Sequence, residues 1–74
     1  MKISIIGCGY VGTVTGVCFA DFGHDIVFYD IDKEKLDILS RGESPIYEPS
    51  LDDLIRKNRE RLATTSDLTA AVRD

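Results

Sequence analysis

Gly7, Gly9 and Gly12 stand at the spacing G-x-G-x-x-G, directly after the apolar run Ile3-Ser4-Ile5-Ile6 and directly before a stretch with helical periodicity. Glycines placed where a strand turns into a helix build a site for a diphosphate. At Gly7 the chain must turn tightly out of the strand, at Gly9 a missing Cβ lets a phosphate approach the backbone, and at Gly12 the helix can press on the sheet. The N–H groups that open the helix and the positive end of its dipole face the same place. The same spacing also fits a plain turn followed by helix-packing glycines, so the chemistry rests on what stands downstream.

Downstream stands Asp30, eighteen residues after Gly12, at the end of a second apolar run, Ile26-Val27-Phe28-Tyr29. A carboxylate there can accept hydrogen bonds from both hydroxyls of an adenosine ribose and repels a 2′-phosphate, which selects NAD over NADP. The other roles open to Asp30 are a solvated acid at a strand end and a cap for the following helix. Lys35 lies close enough along that helix to reach a ribose or diphosphate from the side, although exposed lysines are usually solvated.

These residues need elements to position them. Ile3, Ile5 and Ile6 are β-branched and read as a buried strand. From Tyr10 to Phe22 the apolar residues Val11, Val14, Cys18, Phe19 and Phe22 recur at helical spacing, while Gly12, Gly16 and Ala20 form a ridge of small residues that can lie close to a strand. Gly16 costs about 1 kcal/mol relative to Ala inside a helix, so it needs a packing reason. Gly23 fits that helix's end. After the second strand, Asp32 is a plausible N-cap for a helix carrying Leu36 and Leu39, with Gly42 as its stop. Pro45 and Pro49 stiffen the next connection. Ser50 is expected to cap a third helix with the stripe Leu51, Leu54 and Ile55, Asp53 completing an imperfect capping box. Residues 62–65 read as a third strand, and Leu68, Ala71 and Val72 open a last helix.

The order strand, helix, strand, two helices, strand, helix predicts an α/β fold. With right-handed crossovers it is part of a Rossmann-type doubly wound parallel sheet, three strands in the order 3-2-1 with flanking helices. Residues 1–74 are then the N-terminal part of a dinucleotide-binding domain, with a fourth strand expected beside the first. By themselves they are expected to be poorly stable or to self-associate along that edge, since a chain this short buries only about 60% of its unfolded surface.

Nine basic and thirteen acidic residues give a net charge of −4, with no basic cluster of the kind that holds nucleic acid or an anionic membrane. Cys8, Cys18 and the single His24 have neither metal-ligand nor disulfide spacing, so the cysteines read as reduced packing residues and no metal is expected. No stretch reaches the length of a membrane span, and the start does not have the form of a secretory signal, which makes the cytoplasm the expected location.

The segment from Lys2 to Gly12, followed by Gly16-Val17-Cys18-Phe19-Ala20, Gly23-His24, Asp30-Ile31-Asp32 with Lys35, and Pro45-Ile46-Tyr47-Glu48-Pro49, resembles the N-terminus of the UDP-glucose/GDP-mannose dehydrogenase family. The resemblance runs essentially the whole length of the chain. It implies NAD as cofactor, with Gly7, Gly9, Tyr10, Val11 and Gly12 as the pyrophosphate turn, Asp30 as the ribose acceptor and Lys35 as a further NAD contact. It also implies a nucleotide-sugar substrate, UDP-glucose first, oxidised at C6 to UDP-glucuronate with two NAD, and a homo-oligomeric full-length enzyme. The alternatives are GDP-mannose or another nucleotide sugar as substrate, or an NAD-sensing regulatory domain that does no chemistry. The family's catalytic cysteine, lysine and acid lie beyond position 74, so no catalytic residue is assigned here and the 74 residues alone are expected to be inactive. Tyr47 and Glu48 are read as loop packing. Ser50 departs from the family, which often has glycine at that position.

Overall fold

The computed structural model describes residues 1–45 and 48–72. Ile46 and Tyr47, part of the stretch that carries the family resemblance, lie outside the described residues, and so does the loop packing expected of Tyr47. Three strands, β1 (Lys2–Ile6), β2 (Asp25–Tyr29) and β3 (Leu62–Thr65), form one parallel sheet. The spatial order is β1-β2-β3, which is 3-2-1 read from the other edge. The register sets Ile3 beside Ile26 and Ile5 beside Phe28, and on the far side Ile26 beside Leu62 and Phe28 beside Thr64. Side chains alternate along a strand, so these residues share one face of the sheet.

On that face lies α1 (Tyr10–Asp21). Its buried residues are Thr13, Gly16, Val17 and Ala20, so the ridge of small residues is the side that meets the sheet. An added Cβ on Gly16 would lie 2.5 Å from two carbons of the Phe28 ring, and Phe28 is fully buried. That close approach is the packing reason the helical glycine requires. Most of the apolar stripe looks outward: Val11 is 75% and Phe22 80% exposed, and Cys18 is exposed rather than a packing residue, whereas Val14 is half-buried against the core. Only Cys8 of the two thiols is buried.

The helix α2 (Lys33–Ser40) starts at Asp32, whose Oδ1 accepts from the Glu34 N–H at 3.0 Å, and buries Leu36 and Leu39. Gly23 and Gly42 follow α1 and α2 in the left-handed region, where a residue without Cβ is unstrained. The helix α3 (Pro49–Lys57) begins two residues earlier than its sequence predicts. Its N-cap is Glu48, and Pro49 takes the first helical turn, where a missing N–H removes no hydrogen bond. Ser50 therefore lies inside the helix and its hydroxyl donates to Glu48 Oε1, while Asp52, rather than a capping-box Asp53, accepts from the Ser44 N–H at 2.8 Å. Asn58 closes α3: its amide donates to the Leu54 carbonyl and to Asp21 Oδ1, both at 3.0 Å, which ties α3 to the end of α1.

A short 3-10 turn, Arg59–Arg61, leads into β3, and α4 (Leu68–Val72) follows. Ser4 projects on the opposite side of β1 from Ile3 and Ile5, and its hydroxyl donates to the Ala71 carbonyl of α4. Helices thus cover both faces. The core gathers Val17, Ala20, Ile26, Phe28, Leu36, Leu39, Leu51 and Ile55 around the central strand. β1 is less buried than its β-branched composition predicts: Ile3 and Ile5 are half-buried and Ile6 is 55% exposed. The cause is its edge position, since among the described residues β1 pairs with β2 alone.

Candidate functional site

The site is built at the C-terminal ends of β1 and β2. Gly7 leaves β1 with φ +101°, a conformation that strains any residue with a Cβ. Its N–H donates to the Tyr29 carbonyl at 2.7 Å, so the two strand ends stay joined past the last ladder pair. Gly12 meets the same turn from the helix side, where an added Cβ would lie 2.2 Å from the Gly7 carbonyl oxygen and 3.2 Å from the Ile5 side chain. Gly9 differs from both. Its φ of −73° is open to any residue, and a Cβ there would meet nothing within 4 Å.

Gly9 is also the N-cap residue of α1, which has no side-chain cap and no acidic residue in its first turn. The N–H groups of Gly9, Tyr10, Val11 and Gly12 therefore lack intrahelical partners and open onto the surface with the positive end of the helix dipole. Tyr10 (61% exposed) and Val11 flank them.

Asp30 sits where β2 ends and faces the turn. Its Oδ2 accepts from the Cys8 N–H at 2.7 Å and its Oδ1 from the Asp32 N–H at 2.8 Å. These two amides, then the positive charge of Lys35, hold the Asp30 carboxyl below its ordinary range. Each carboxylate oxygen keeps a second lone pair for another donor. Lys35, in the first turn of α2, is half-buried and near enough for its charge to be felt at both Asp30 and Cys8. Burial pushes the Cys8 thiol up to about 11, and the Asp30 charge adds to this, so near neutral pH it is a protonated packing group.

The predicted residues Gly7, Gly9, Tyr10, Val11, Gly12, Asp30 and Lys35 are thus gathered at one end of the sheet. The Cys8 N–H, which the turn motif would offer to a phosphate, is already taken by Asp30. Two residues of this region escape the motif. Thr13 is fully buried and its hydroxyl donates to the Cys8 carbonyl at 3.1 Å. Ile31, beside Asp30, is 83% exposed and places apolar surface at the rim.

Two clefts lie elsewhere. One, lined by Asp25, Lys57, Asn58, Glu60 and Arg61, includes cations that pair with acids, Lys57 with Asp21 at 3.2 Å and Arg61 with Asp25 at 3.9 Å. The other runs between Leu39, Arg59 and the face of β3. Among the described residues no group of three or more His, Cys, Asp or Glu could hold a metal, and no helix is long and apolar enough to cross a membrane.

Comparison with known proteins places this geometry in a group. A family model described as the UDP-glucose/GDP-mannose dehydrogenase family, NAD binding domain, matches residues 1–74. A UDP-glucose 6-dehydrogenase of Rhizobium meliloti is 55% identical over 74 residues, covering 97% of this chain and 17% of that protein. A GDP-mannose 6-dehydrogenase of Pseudomonas aeruginosa is 42% identical over 76 residues, covering 100% of this chain and 17% of its own length. The crystal structure of a ternary complex of GDP-mannose dehydrogenase from Pseudomonas aeruginosa superposes with a TM-score of 0.92 at 42% identity, over 97% of this chain and 17% of that one. The chain therefore spans about 17% of the length of the relatives it matches.

Proposed function

Because the chain belongs to the UDP-glucose/GDP-mannose dehydrogenase family, we propose that residues 1–74 are the first part of the NAD-binding domain of a cytoplasmic, homo-oligomeric nucleotide-sugar 6-dehydrogenase acting on UDP-glucose. UDP-glucose is preferred over GDP-mannose because the curated relatives named for it are 47–55% identical, against 42–44% for those named for GDP-mannose. Gly7, Gly9, Tyr10, Val11, Gly12, Asp30 and Lys35 would hold the NAD, which would supply a hydride acceptor; carrying an alcohol to a carboxylate removes two hydride equivalents, so two NAD would be consumed per sugar.

The observation that carries the reading is Gly9. Gly7 is required by its φ and Gly12 by the approach of helix to turn, whereas nothing among the described residues demands a glycine at position 9. What a side chain there would obstruct is a ligand. The residues fit a diphosphate: open backbone at Gly9, uncapped N–H groups from Gly9 to Gly12, and no acid in the first helical turn. Tyr10 and Val11 would flank the phosphates, Asp30 would accept from the adenosine ribose, Lys35 would approach from the side, and Ile31 offers the adenine an apolar surface.

In the full chain, Gly9→Ala is expected to melt within about 1 °C of the wild type, since the new methyl meets no neighbour, yet to bind NAD at least about tenfold more weakly, the loss of one charged hydrogen bond. A variant that binds NAD like the wild type refutes the turn as the diphosphate site. NADH formation with UDP-glucose and GDP-mannose in parallel decides the sugar, and faster turnover of GDP-mannose overturns that part of the proposal.

A further inference from the structure

We propose that Thr13 is a positioning residue that aims the Gly9 N–H at the diphosphate; this rests on the reading of the turn as an NAD site. A helical threonine hydroxyl ordinarily bonds the carbonyl three or four residues back. In α1 the carbonyl four back, that of Gly9, accepts from the Thr13 N–H at 2.9 Å, and the Thr13 hydroxyl reaches one residue further, to the Cys8 carbonyl at 3.1 Å. The side chain is fully buried, so no water competes for that carbonyl from the Thr13 side.

The Cys8 carbonyl and the Gly9 N–H belong to one peptide plane. No described peptide is cis, and in a trans peptide the two groups point in opposite directions. Drawing the carbonyl toward Thr13 therefore turns the Gly9 N–H away from the body of α1, and Gly9 borders open space. The preceding plane is set independently, its Cys8 N–H held by Asp30 at 2.7 Å. Side chains from two elements thus hold two successive peptides: Asp30 takes the N–H of the first for the protein, and Thr13 leaves the N–H of the second for a ligand. Among the described residues the Gly9 N–H has no protein acceptor.

Thr13→Val keeps the side-chain shape and removes the hydroxyl, and Thr13→Ser keeps the hydroxyl. ADP-ribose and adenosine share the ribose and the base and differ in the diphosphate, so titrating both against the full chain isolates the phosphate contact. Thr13→Val is expected to weaken ADP-ribose about tenfold while adenosine changes less than about twofold, and Thr13→Ser is expected to restore ADP-ribose to near the wild-type value. Equal weakening of the two ligands, or no weakening, overturns the proposal. Where Thr13→Val does not fold, the Gly9 amide in wild-type protein labelled with 15N-glycine decides. A downfield proton shift with ADP-ribose and none with adenosine supports the role, and its absence overturns it. A wild type that binds adenosine and ADP-ribose equally removes the diphosphate reading itself, a result visible before any variant is made.

Discussion

Asp30 is a part of the turn before it is a ligand contact, since its two oxygens already hold the Cys8 and Asp32 amides. Removing it loosens the glycine turn as well as any ribose contact, and a weakened affinity for NAD alone does not separate the two. The ratio of NAD to NADP does, because turn loosening is common to both cofactors whereas repulsion of a 2′-phosphate acts on one. Asp30→Ala is expected to weaken NAD by about 1.5–3 kcal/mol and to narrow the preference over NADP, and an unchanged ratio in paired titrations would remove the ribose assignment. The same carboxylate gives a pH signature. Its ionised form is favoured in the fold, so its contribution to stability is complete above the ordinary value of 3.8 and is lost as pH falls through the lower folded value. Acid unfolding of the variant should therefore be less steep below that pH. The place of Asp30 at the end of β2, beside the glycine turn, is legible in the sequence because the motif fixes both its residue type and its distance from the glycines. The Thr13 contact is not, since a threonine inside a helix carries no signal of which carbonyl its hydroxyl will find.

In helix α1 the sequence pattern sets the period and leaves the buried side open. Two stripes share its helical spacing, one of large apolar residues and one of small residues, and hydrophobicity alone favours burying the first. Steric distance decides for the second: only glycines allow the backbone to come within reach of the Phe28 ring and the Gly7 carbonyl, which the turn requires. The start of α3 escaped for a local reason. Serine is a common N-cap and Pro49 precedes Ser50, but proline at a first helical position is equally favourable and moves the boundary. The strands were easier, since apolar runs bounded by glycine, aspartate and serine have few other solutions. Gly16 turns this into a sign test. In an exposed helix, replacing Gly by Ala gains about 1 kcal/mol. Here the new methyl would lie 2.5 Å from a ring that is itself fully enclosed, and overpacking of that kind costs about 1–3 kcal/mol. Gly16→Ala is expected to lower the urea midpoint of the full chain, and an increase would show that α1 can move off the sheet at little cost.

At the scale of the whole molecule, the site stands at the edge of what the 74 residues can hold in place. β1 supplies the turn, yet among the described residues it has a strand on one side only, and Ile6 at its end, with Val11 and Tyr10 after it, leaves apolar surface beside that edge. A domain of this size buries about 60% of its unfolded surface, which leaves little margin to keep an edge strand in register. An unpaired parallel edge of β-branched residues is also a template for another strand. The 74-residue chain expressed by itself is therefore expected to sediment as a concentration-dependent mixture and to melt with a midpoint that rises with concentration. Ile6→Lys places a charge at the exposed end of β1, where it opposes edge pairing without touching the buried face, and should shift the mixture toward monomer. A monomeric wild-type segment with a cooperative, concentration-independent melt would show that α4, anchored through Ser4 and Ala71, secures β1 without a strand on its second side.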